Sequence, residues 1–190
     1  GQTCIAPDYL YVHQDIKDDF LTELKHQIEQ AQYVPDSENY TRIINEKNFD
    51  RILKLIDRKK VYYGGEANKE NLYIQPTIMT GVLWEDKVME EEIFGPVLPV
   101  LDYENLEDVF GMIRSKEKPL SAYIFTNNSK EKKKFTTHLS FGGGAINDTV
   151  MHISNPNLPF GGVGNSGMGS YHGKYGFEAF THKKSVLDKA

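Results

Sequence analysis

The chain has 190 residues, of which 39% are hydrophobic and 26% are charged, and its formal net charge at pH 7 is −5. These proportions are ordinary for a globular protein, and the length suffices for one domain with a sizeable core. The acidic balance argues against nucleic-acid binding, which requires a basic stripe, and no apolar run reaches the roughly 18 to 20 residues of a membrane span. We therefore expect a globular chain with no nucleic-acid partner and no membrane segment.

Strand and helix signals alternate along the chain. They predict a strand at 8–12, a helix through 16–28, a loop at 36–39, a helix through 49–56, a strand at 61–63, an extended stretch at 73–80, a strand at 97–101, a helix after Asn105, a strand at 122–126, a basic helix from 128 to 139 and an extended stretch at 145–147. Apolar residues at a spacing of four mark the first helix. Pro76 bars its stretch from being a fully paired central strand. This alternation predicts an α/β fold with a mostly parallel sheet flanked by helices.

The composition changes after Pro159, where seven glycines are crowded into a short span: Gly161, Gly162, Gly164, Gly167, Gly169, Gly173 and Gly176. Glycines at that density predict tightly packed backbone or turns with positive φ. Val186 and Leu187 then indicate the start of an edge strand.

Cys4 is the single cysteine of the chain, which excludes an internal disulfide framework and a zinc site built from several cysteines. A lone cysteine is usually a small buried hydrophobe. Its other common role is that of a nucleophile, and the small, polar approach Gly1-Gln2-Thr3 leaves the sulfur open to a substrate. From its neighbours alone, both interpretations of Cys4 stay open.

Glu90-Glu91-Glu92-Ile93-Phe94-Gly95-Pro96-Val97 forms a second pattern of interest. One interpretation is a solvated acidic turn. The other is a segment that directs a carboxylate and an aromatic ring towards a bound ligand, because a carboxylate that accepts two sugar hydroxyls is a recurrent way to hold a nucleotide ribose.

Residues 162–167 match the G-x-G-x-x-G pattern of dinucleotide-binding turns. That pattern has meaning between a strand and a helix, with an acidic residue about 20 positions further on. Pro159-Phe160-Gly161-Gly162 precedes it here, and the expected acidic position is basic or apolar. We therefore interpret the match as fortuitous.

Three motifs taken together resemble the aldehyde dehydrogenase superfamily in order and approximate spacing. They are Gly-Gln-x-Cys ending at Cys4, Glu-Glu-Ile-Phe-Gly-Pro at 91–96, and Pro-Phe-Gly-Gly at 159–162. The tail from Ser166 to Lys183 resembles class 3, the branch that includes the fatty aldehyde dehydrogenases. The resemblance covers essentially the whole chain, and it implies the α/β fold of an aldehyde dehydrogenase catalytic domain.

The resemblance implies that this chain belongs to an enzyme that oxidises aldehydes to carboxylic acids with NAD or NADP. Cys4 is then the catalytic nucleophile, which passes through a thiohemiacetal and a thioester. Glu92 and Phe94 match the cofactor-binding glutamate and aromatic ring of the family. Phe160 and Asn147 match residues at the substrate side of the active site. A long-chain or aromatic aldehyde is the implied substrate class.

The resemblance also implies that the chain is a C-terminal catalytic-domain fragment. Residues 1–181 are then the catalytic domain and 182–190 the start of an oligomerisation strand, while the N-terminal nucleotide-binding domain is absent. We expect the fragment to be inactive alone, because the water-activating glutamate and the second oxyanion donor of the family precede the cysteine. The parent is expected to be a cytoplasmic homodimer, with a membrane anchor beyond Ala190 left open.

Two further hypotheses compete with this one. The chain would be a non-catalytic, self-associating domain if Cys4 were buried and inert. It would be a cysteine hydrolase if Cys4 used His172 or His152 as its base. Since no two of the six histidines have the i, i+4 spacing of a helical metal site, we expect no metal.

Overall fold

A computed structural model describes residues 1–35 and 37–189. Asp36, which begins the predicted loop, and Ala190, which ends the predicted oligomerisation strand, lie outside the described residues. The chain divides into two compact units, one formed by residues 1–109 and the other beginning at residue 110. Each unit is considered by itself below.

The first unit contains six strands and two helices among the described residues. In chain order these are β1 (Leu10–His13), α1 (Lys17–Gln30), α2 (Glu46–Leu55), β2 (Val61–Tyr63), β3 (Ala67–Asn68), β4 (Tyr73–Ile74), β5 (Thr77–Thr80) and β6 (Val97–Tyr103). Short 3-10 turns lie at Gln14–Ile16, Arg58–Lys60 and Lys87–Met89. Helix α3 (Leu106–Arg114) spans the division between the units.

A four-stranded sheet in the order β1-β6-β5-β2 forms the centre of the first unit. β6 pairs in parallel with both β1 and β5, whereas β2 is antiparallel to β5. Because side chains alternate along a strand, adjacent residues of β5 enter different cores: Ile78 packs in the cluster that includes Leu21 of α1, and Met79 in the cluster that includes Phe49 of α2. The sheet is therefore covered by α1 on one face and by α2 on the other.

Two prolines limit how the sheet is paired. Pro76 separates β4 from β5 and directly precedes the first residue of β5, so its missing N–H falls outside the central strand. Pro99 lies within β6, opposite Met79. The pairing of β6 with β1 begins only at Val100, and Pro99 therefore occupies a position where β6 has a single paired neighbour.

The second unit contains β7 (Ser121–Ile124), α4 (Ser129–His138), β8 (Gly143–Ile146) and α5 (Gly173–Ala179), with 3-10 turns at Met151–Ser154 and Gly164–Ser166. β7 and β8 pair in parallel. The Asn128 side chain accepts a hydrogen bond from the amide of Lys130 and thereby caps α4. The basic run from 130 to 134 thus lies on a helix, as the sequence predicts.

These elements confirm the predicted α/β fold with a mostly parallel sheet. Two local expectations are corrected. Ile16 belongs to a 3-10 turn and is 55% exposed, and Leu21 is the buried residue of α1 at 3%. Helix α5 was not predicted within the glycine-rich span. It begins after His172, whose φ is 86°. The pattern of apolar residues gives no indication of this change in backbone direction.

Residues 182–189 form no helix or strand within this chain, and Val186 and Leu187 are exposed. A strand that pairs with another subunit would have no partner here, so its existence stays a prediction. No helix within residues 1–35 and 37–189 combines the length and apolar character needed to cross a bilayer.

Candidate active site

Cys4 lies in a tight turn in which the amide of Ala6 donates to the carbonyl of Thr3 over 3.1 Å. The neighbouring Ile5 is 5% exposed and fixes the turn to the core, whereas Cys4 itself is exposed. The turn therefore holds the sulfur at the surface on a backbone that is anchored one residue later.

The Gln2 side chain fixes the other end of this turn. Its Nε2 donates to the carbonyl of Arg42 over 2.9 Å, and its Oε1 accepts from the amide of Ile44 over 3.1 Å. Ile43, between these two partners, is 3% exposed. Both ends of the carboxamide are thus used to hold the approach to Cys4 against the chain that leads into α2.

Glu92 and Phe94 lie on either side of Ile93, in the loop before β6. Ile93 is 1% exposed, whereas Phe94 is 40% exposed and Glu92 also lies at the surface. The φ of Phe94 is 49°, a left-handed conformation that is unfavourable for an aromatic residue and marks a site held in place by its surroundings. A buried anchor therefore displays a carboxylate and a ring to solvent.

Arg51 of α2 and Asp8 hold this loop by its backbone. Arg51 donates from Nη1 to the carbonyl of Glu92 over 3.2 Å and from Nη2 to the carbonyl of Ile93 over 2.6 Å. It also pairs with the carboxylate of Glu91 at 2.9 Å. The Oδ1 atom of Asp8 accepts from the amide of Ile93 over 2.9 Å. Both polar backbone groups of Ile93 are therefore bonded to charged side chains.

The first two sequence motifs meet at Gly1 and Gly95. A Cβ atom on Gly1 would overlap the carbonyl oxygen of Gly95, and a Cβ atom on Gly95 would lie 2.6 Å from Cδ1 of Ile52. The approach to Cys4 thus lies directly against the loop that carries Glu92 and Phe94, and this contact requires glycine at position 1, whereas Gly95 makes room for the Ile52 side chain.

Asp8, Glu92 and Arg51 interact electrostatically in this region. Burial raises the pKa of Asp8, while its hydrogen bond from Ile93 and the charge of Arg51 act in the opposite direction. The pKa of Glu92 is also raised, first by desolvation and then by repulsion from Asp8, with Arg51 opposing. Arg51 thus offsets part of the repulsion between two neighbouring carboxylates.

These residues fit the nicotinamide riboside part of a dinucleotide. Among the described residues, the Glu92 carboxylate takes part in no hydrogen bond or ion pair, and its two oxygens are free to accept from a ribose diol. The exposed ring of Phe94, two residues away, offers an aromatic surface. No group of three or more histidine, cysteine or acidic residues suited to a metal ion occurs among the residues that the structure describes.

Phe160, in the second unit, is 9% exposed and lies among aromatic rings. It forms an antiparallel bridge with Tyr171, with 2.9 Å hydrogen bonds in both directions. Its ring stacks on His172 at 5.4 Å and lies 6.3 Å from the ring of His152. The predicted substrate residue is therefore firmly positioned, and His172 serves here as a stacking partner.

Asn147 follows β8 with a φ of 58°. Its amide donates to the carbonyl of Ile124 over 2.7 Å, and its Oδ1 accepts from the amide of Thr126 over 2.8 Å. The side-chain oxygen is thus used to close the end of the β7–β8 pair. This bond leaves the carboxamide nitrogen as the group through which Asn147 would act on a ligand.

The segment 162–167, which matches the G-x-G-x-x-G pattern, forms a tight turn. Ser166 Oγ accepts from the amide of Val163 and donates to its carbonyl, both over 3.0 Å. The pattern does not connect a strand to a helix as it would in a dinucleotide-binding turn, because Gly164–Ser166 forms a 3-10 turn. Its glycines serve close backbone packing, because a Cβ atom on Gly162 would overlap the carbonyl of Ser166.

Sequence reasoning missed Gln2, Asp8 and Arg51. Gln2 belongs to the Gly-Gln-x-Cys motif, so its position two residues before Cys4 was the available signal. Asp8 and Arg51 carried none, because their partners lie 85 and 42 residues away in the chain. A cavity of about 170 Å³ in the first unit is lined by none of the predicted site residues; its lining includes Lys54, Lys60 and Asp86.

A sequence model of the aldehyde dehydrogenase family matches residues 1–186. The chain is 46% identical, over 98% of its length, to aldehyde dehydrogenase family 3 member H1 of Arabidopsis thaliana. It is also 46% identical, again over 98% of its length, to the dimeric NADP-preferring aldehyde dehydrogenase of Mus musculus. The chain spans 40% and 42% of these two relatives, respectively.

The fold also matches a solved structure of the substrate-bound state of Staphylococcus aureus AldH. The TM-score is 0.93 at 43% identity, and the match covers 100% of this chain and 44% of the other.

Proposed function

The chain belongs to the aldehyde dehydrogenase family, with relatives named as family 3 members, and from this premise we propose that Cys4 is the nucleophile of an NAD(P)-dependent oxidation of aldehydes to carboxylic acids. The observation that carries the proposal is the meeting of the Cys4 turn with the Glu92–Phe94 loop, backbone against backbone at Gly1 and Gly95. A nucleophile and a cofactor-binding segment must be held at a fixed separation for hydride transfer.

The proposed reaction begins when the thiolate of Cys4 attacks the aldehyde carbon. A carbon–sulfur bond forms, and the carbonyl oxygen becomes the negatively charged oxygen of a thiohemiacetal, which the backbone N–H of Cys4 stabilises. Glu92 and Phe94 would help to hold NAD or NADP, which would supply the acceptor for the hydride that leaves this carbon, and a thioester would remain on Cys4. Water then cleaves the carbon–sulfur bond, which releases the carboxylic acid and regenerates the thiol.

Glu92 and Phe94 hold the cofactor in this proposal. The unpaired carboxylate of Glu92 would accept hydrogen bonds from the nicotinamide ribose, and the exposed ring of Phe94 would offer the nicotinamide an aromatic surface. Because the backbone of both residues is fixed through Ile93, the cofactor meets a rigid edge rather than a mobile loop.

Phe160 and Asn147, both in the second unit, are proposed to bind the aldehyde substrate. The aromatic cluster around Phe160 suits a long-chain or aromatic aldehyde, because its apolar rings favour an apolar substrate. Asn147 is proposed to act through its carboxamide nitrogen, since its oxygen is occupied by Thr126.

The exposure of Cys4 argues against the hypothesis of a purely structural domain, for which a buried, inert cysteine was expected. Family membership favours the dehydrogenase over a cysteine hydrolase, and the stacking of His172 on Phe160 gives that histidine a packing role. One relative is named as a dimeric enzyme, and we propose that an enzyme containing this chain forms a homodimer to which residues 182–189 contribute. Sedimentation of such an enzyme with and without this segment tests that part.

The proposed nucleophile is tested by the alkylation of Cys4 with iodoacetamide across pH, on the native and the urea-unfolded chain. We expect the native thiol to be alkylated without unfolding, because Cys4 is exposed at the surface. Cys4→Ser is the control for labelling at other residues. A native thiol that reacts only after unfolding would refute the proposed nucleophile.

A further inference from the structure

Ile93 is held at three points. Its amide donates to Asp8 over 2.9 Å, its carbonyl accepts from Arg51 over 2.6 Å, and its side chain is 1% exposed within the core that includes Phe49 and Ile52 of α2. A residue fixed through its amide, its carbonyl and its side chain has little freedom to rotate or shift. The residues on either side of it therefore take their directions from this anchor.

The two charged anchors come from different parts of the first unit. Asp8 follows Cys4 by four positions, so it belongs to the segment that carries the proposed nucleophile. Arg51 lies on α2, directly before Ile52, which packs against Gly95. Ile93 thus connects the nucleophile segment, α2 and the Glu92–Phe94 loop. Its contacts fix the distance between this loop and the Cys4 turn.

The backbone conformation of Phe94 indicates why Ile93 is held so firmly. Its φ of 49° is unfavourable for an aromatic side chain, and such a conformation persists only where the surroundings impose it. Arg51 bonds to the carbonyls of Glu92 and Ile93, the two peptide groups that directly precede Phe94. These bonds hold the backbone that turns the ring outward.

We propose that Arg51 and Asp8 are positioning residues, which set the directions of the Glu92 carboxylate and the Phe94 ring relative to Cys4. Neither touches the substrate or the cofactor; each acts through Ile93. The anchoring follows from the hydrogen bonds alone, whereas its consequence for the nicotinamide riboside rests on the proposed function. The two parts therefore need separate measurements.

Hydrogen exchange by mass spectrometry on the full chain tests the anchoring. The variants are Arg51→Met, Asp8→Ala and the conservative Asp8→Asn, which keeps an oxygen acceptor for Ile93. Lys69→Met is the matched control, because it removes an exposed ion pair with Asp50, which lies on α2 next to Arg51. A peptide covering residues 91–95 is compared with a peptide from α1 in each variant.

We expect exchange in residues 91–95 to accelerate about ten-fold or more in Arg51→Met and Asp8→Ala. Asp8→Asn should stay near the wild type, and α1 should be unaffected in all variants. Equal acceleration in both peptides would show that Arg51 and Asp8 only stabilise the unit as a whole. Unchanged exchange at 91–95 would also overturn the proposal.

Protection of Cys4 from iodoacetamide by nicotinamide mononucleotide tests the consequence. This probe is the half of the cofactor that Glu92 and Phe94 are proposed to contact. We expect it to slow alkylation of the wild type and of Lys69→Met, and to lose its effect in Arg51→Met and Glu92→Gln. Full protection in Arg51→Met would overturn the positioning role. If the wild type is not protected while the exchange results hold, the proposed cofactor role fails and the anchoring stands.

Discussion

Gly1 and Gly95 lie backbone against backbone, so closely that a Cβ atom on Gly1 would overlap the carbonyl oxygen of Gly95. This contact joins two segments that are far apart in the chain, one leading to Cys4 and the other carrying Glu92 and Phe94. Since the overlapping atom is backbone rather than a flexible side chain, the separation of the segments has almost no tolerance for added volume.

Gly95→Ala is expected to destabilise the first unit by about 1–3 kcal/mol, the usual cost of overpacking a core. The added methyl group would lie 2.6 Å from Cδ1 of Ile52, a side chain that is itself fully buried. The matched control is Gly111→Ala in α3, where a Cβ atom meets nothing within 4 Å. It should stabilise by about 0.5–1 kcal/mol, because alanine favours a helix interior. Urea unfolding followed by circular dichroism compares the two, and equal effects would contradict the packing argument.

Gln2→Ala should cost about 1–2 kcal/mol of unfolding free energy, since two hydrogen bonds to the backbone at Arg42 and Ile44 are lost. The control is Gln27→Ala in α1, which loses one exposed bond to Glu23 and should change the unfolding free energy by no more than about 0.5 kcal/mol. A loss at Gln2 no larger than that at Gln27 would show that the carboxamide does not hold the Cys4 turn.

The raised pKa of Asp8 predicts a pH dependence of stability. Because desolvation favours the protonated form, the folded state holds the proton more tightly than the unfolded state, whose pKa is the ordinary 3.8. The associated stability is present below that value and is lost as pH rises through the folded pKa. Asp8→Asn should therefore become more stable relative to the wild type as pH rises from 3.8. Urea midpoints measured along this range check it, and a constant difference would refute it.

The lowered pKa of His152 predicts the opposite dependence of stability on pH. Burial lowers its pKa from 6.5, and its Nδ1 atom is buried with no hydrogen-bond partner among the described residues. The unfolded state therefore binds the proton more readily, and stability falls as pH drops below 6.5. His152→Phe keeps a ring beside Tyr123 and Phe160 and should abolish this loss, although it also removes the 3.5 Å contact between His152 Nε2 and Ser121 Oγ at every pH. Thermal unfolding between pH 5 and about 7 checks it; an unchanged slope would exclude His152 as its source.

Local sequence determined the order of the elements. The spacing of Phe20, Leu24 and Ile28 predicted α1, because side chains four apart share one face of a helix. Asn128 or Ser129 was predicted to begin α4, and the structure shows that Asn128 is the capping residue. The Gly-Gln-x-Cys, Glu-Glu-Ile-Phe-Gly-Pro and Pro-Phe-Gly-Gly motifs together identified the family, since these residues and their spacing are visible without any structure. Their roles in the site remain predictions.

Only the tertiary structure decided how the candidate site is held together. Asp8, Arg51 and Gln2 bond to backbone groups 85, 42 and 42 residues away, respectively. Any polar side chain can bond to any peptide group, so the sequence does not specify these partners, and the fold selects them by proximity. The left-handed turn at Phe94 and the helix after His172 were hidden for a related reason. Both depend on backbone conformations that local propensity disfavours and that surrounding contacts impose.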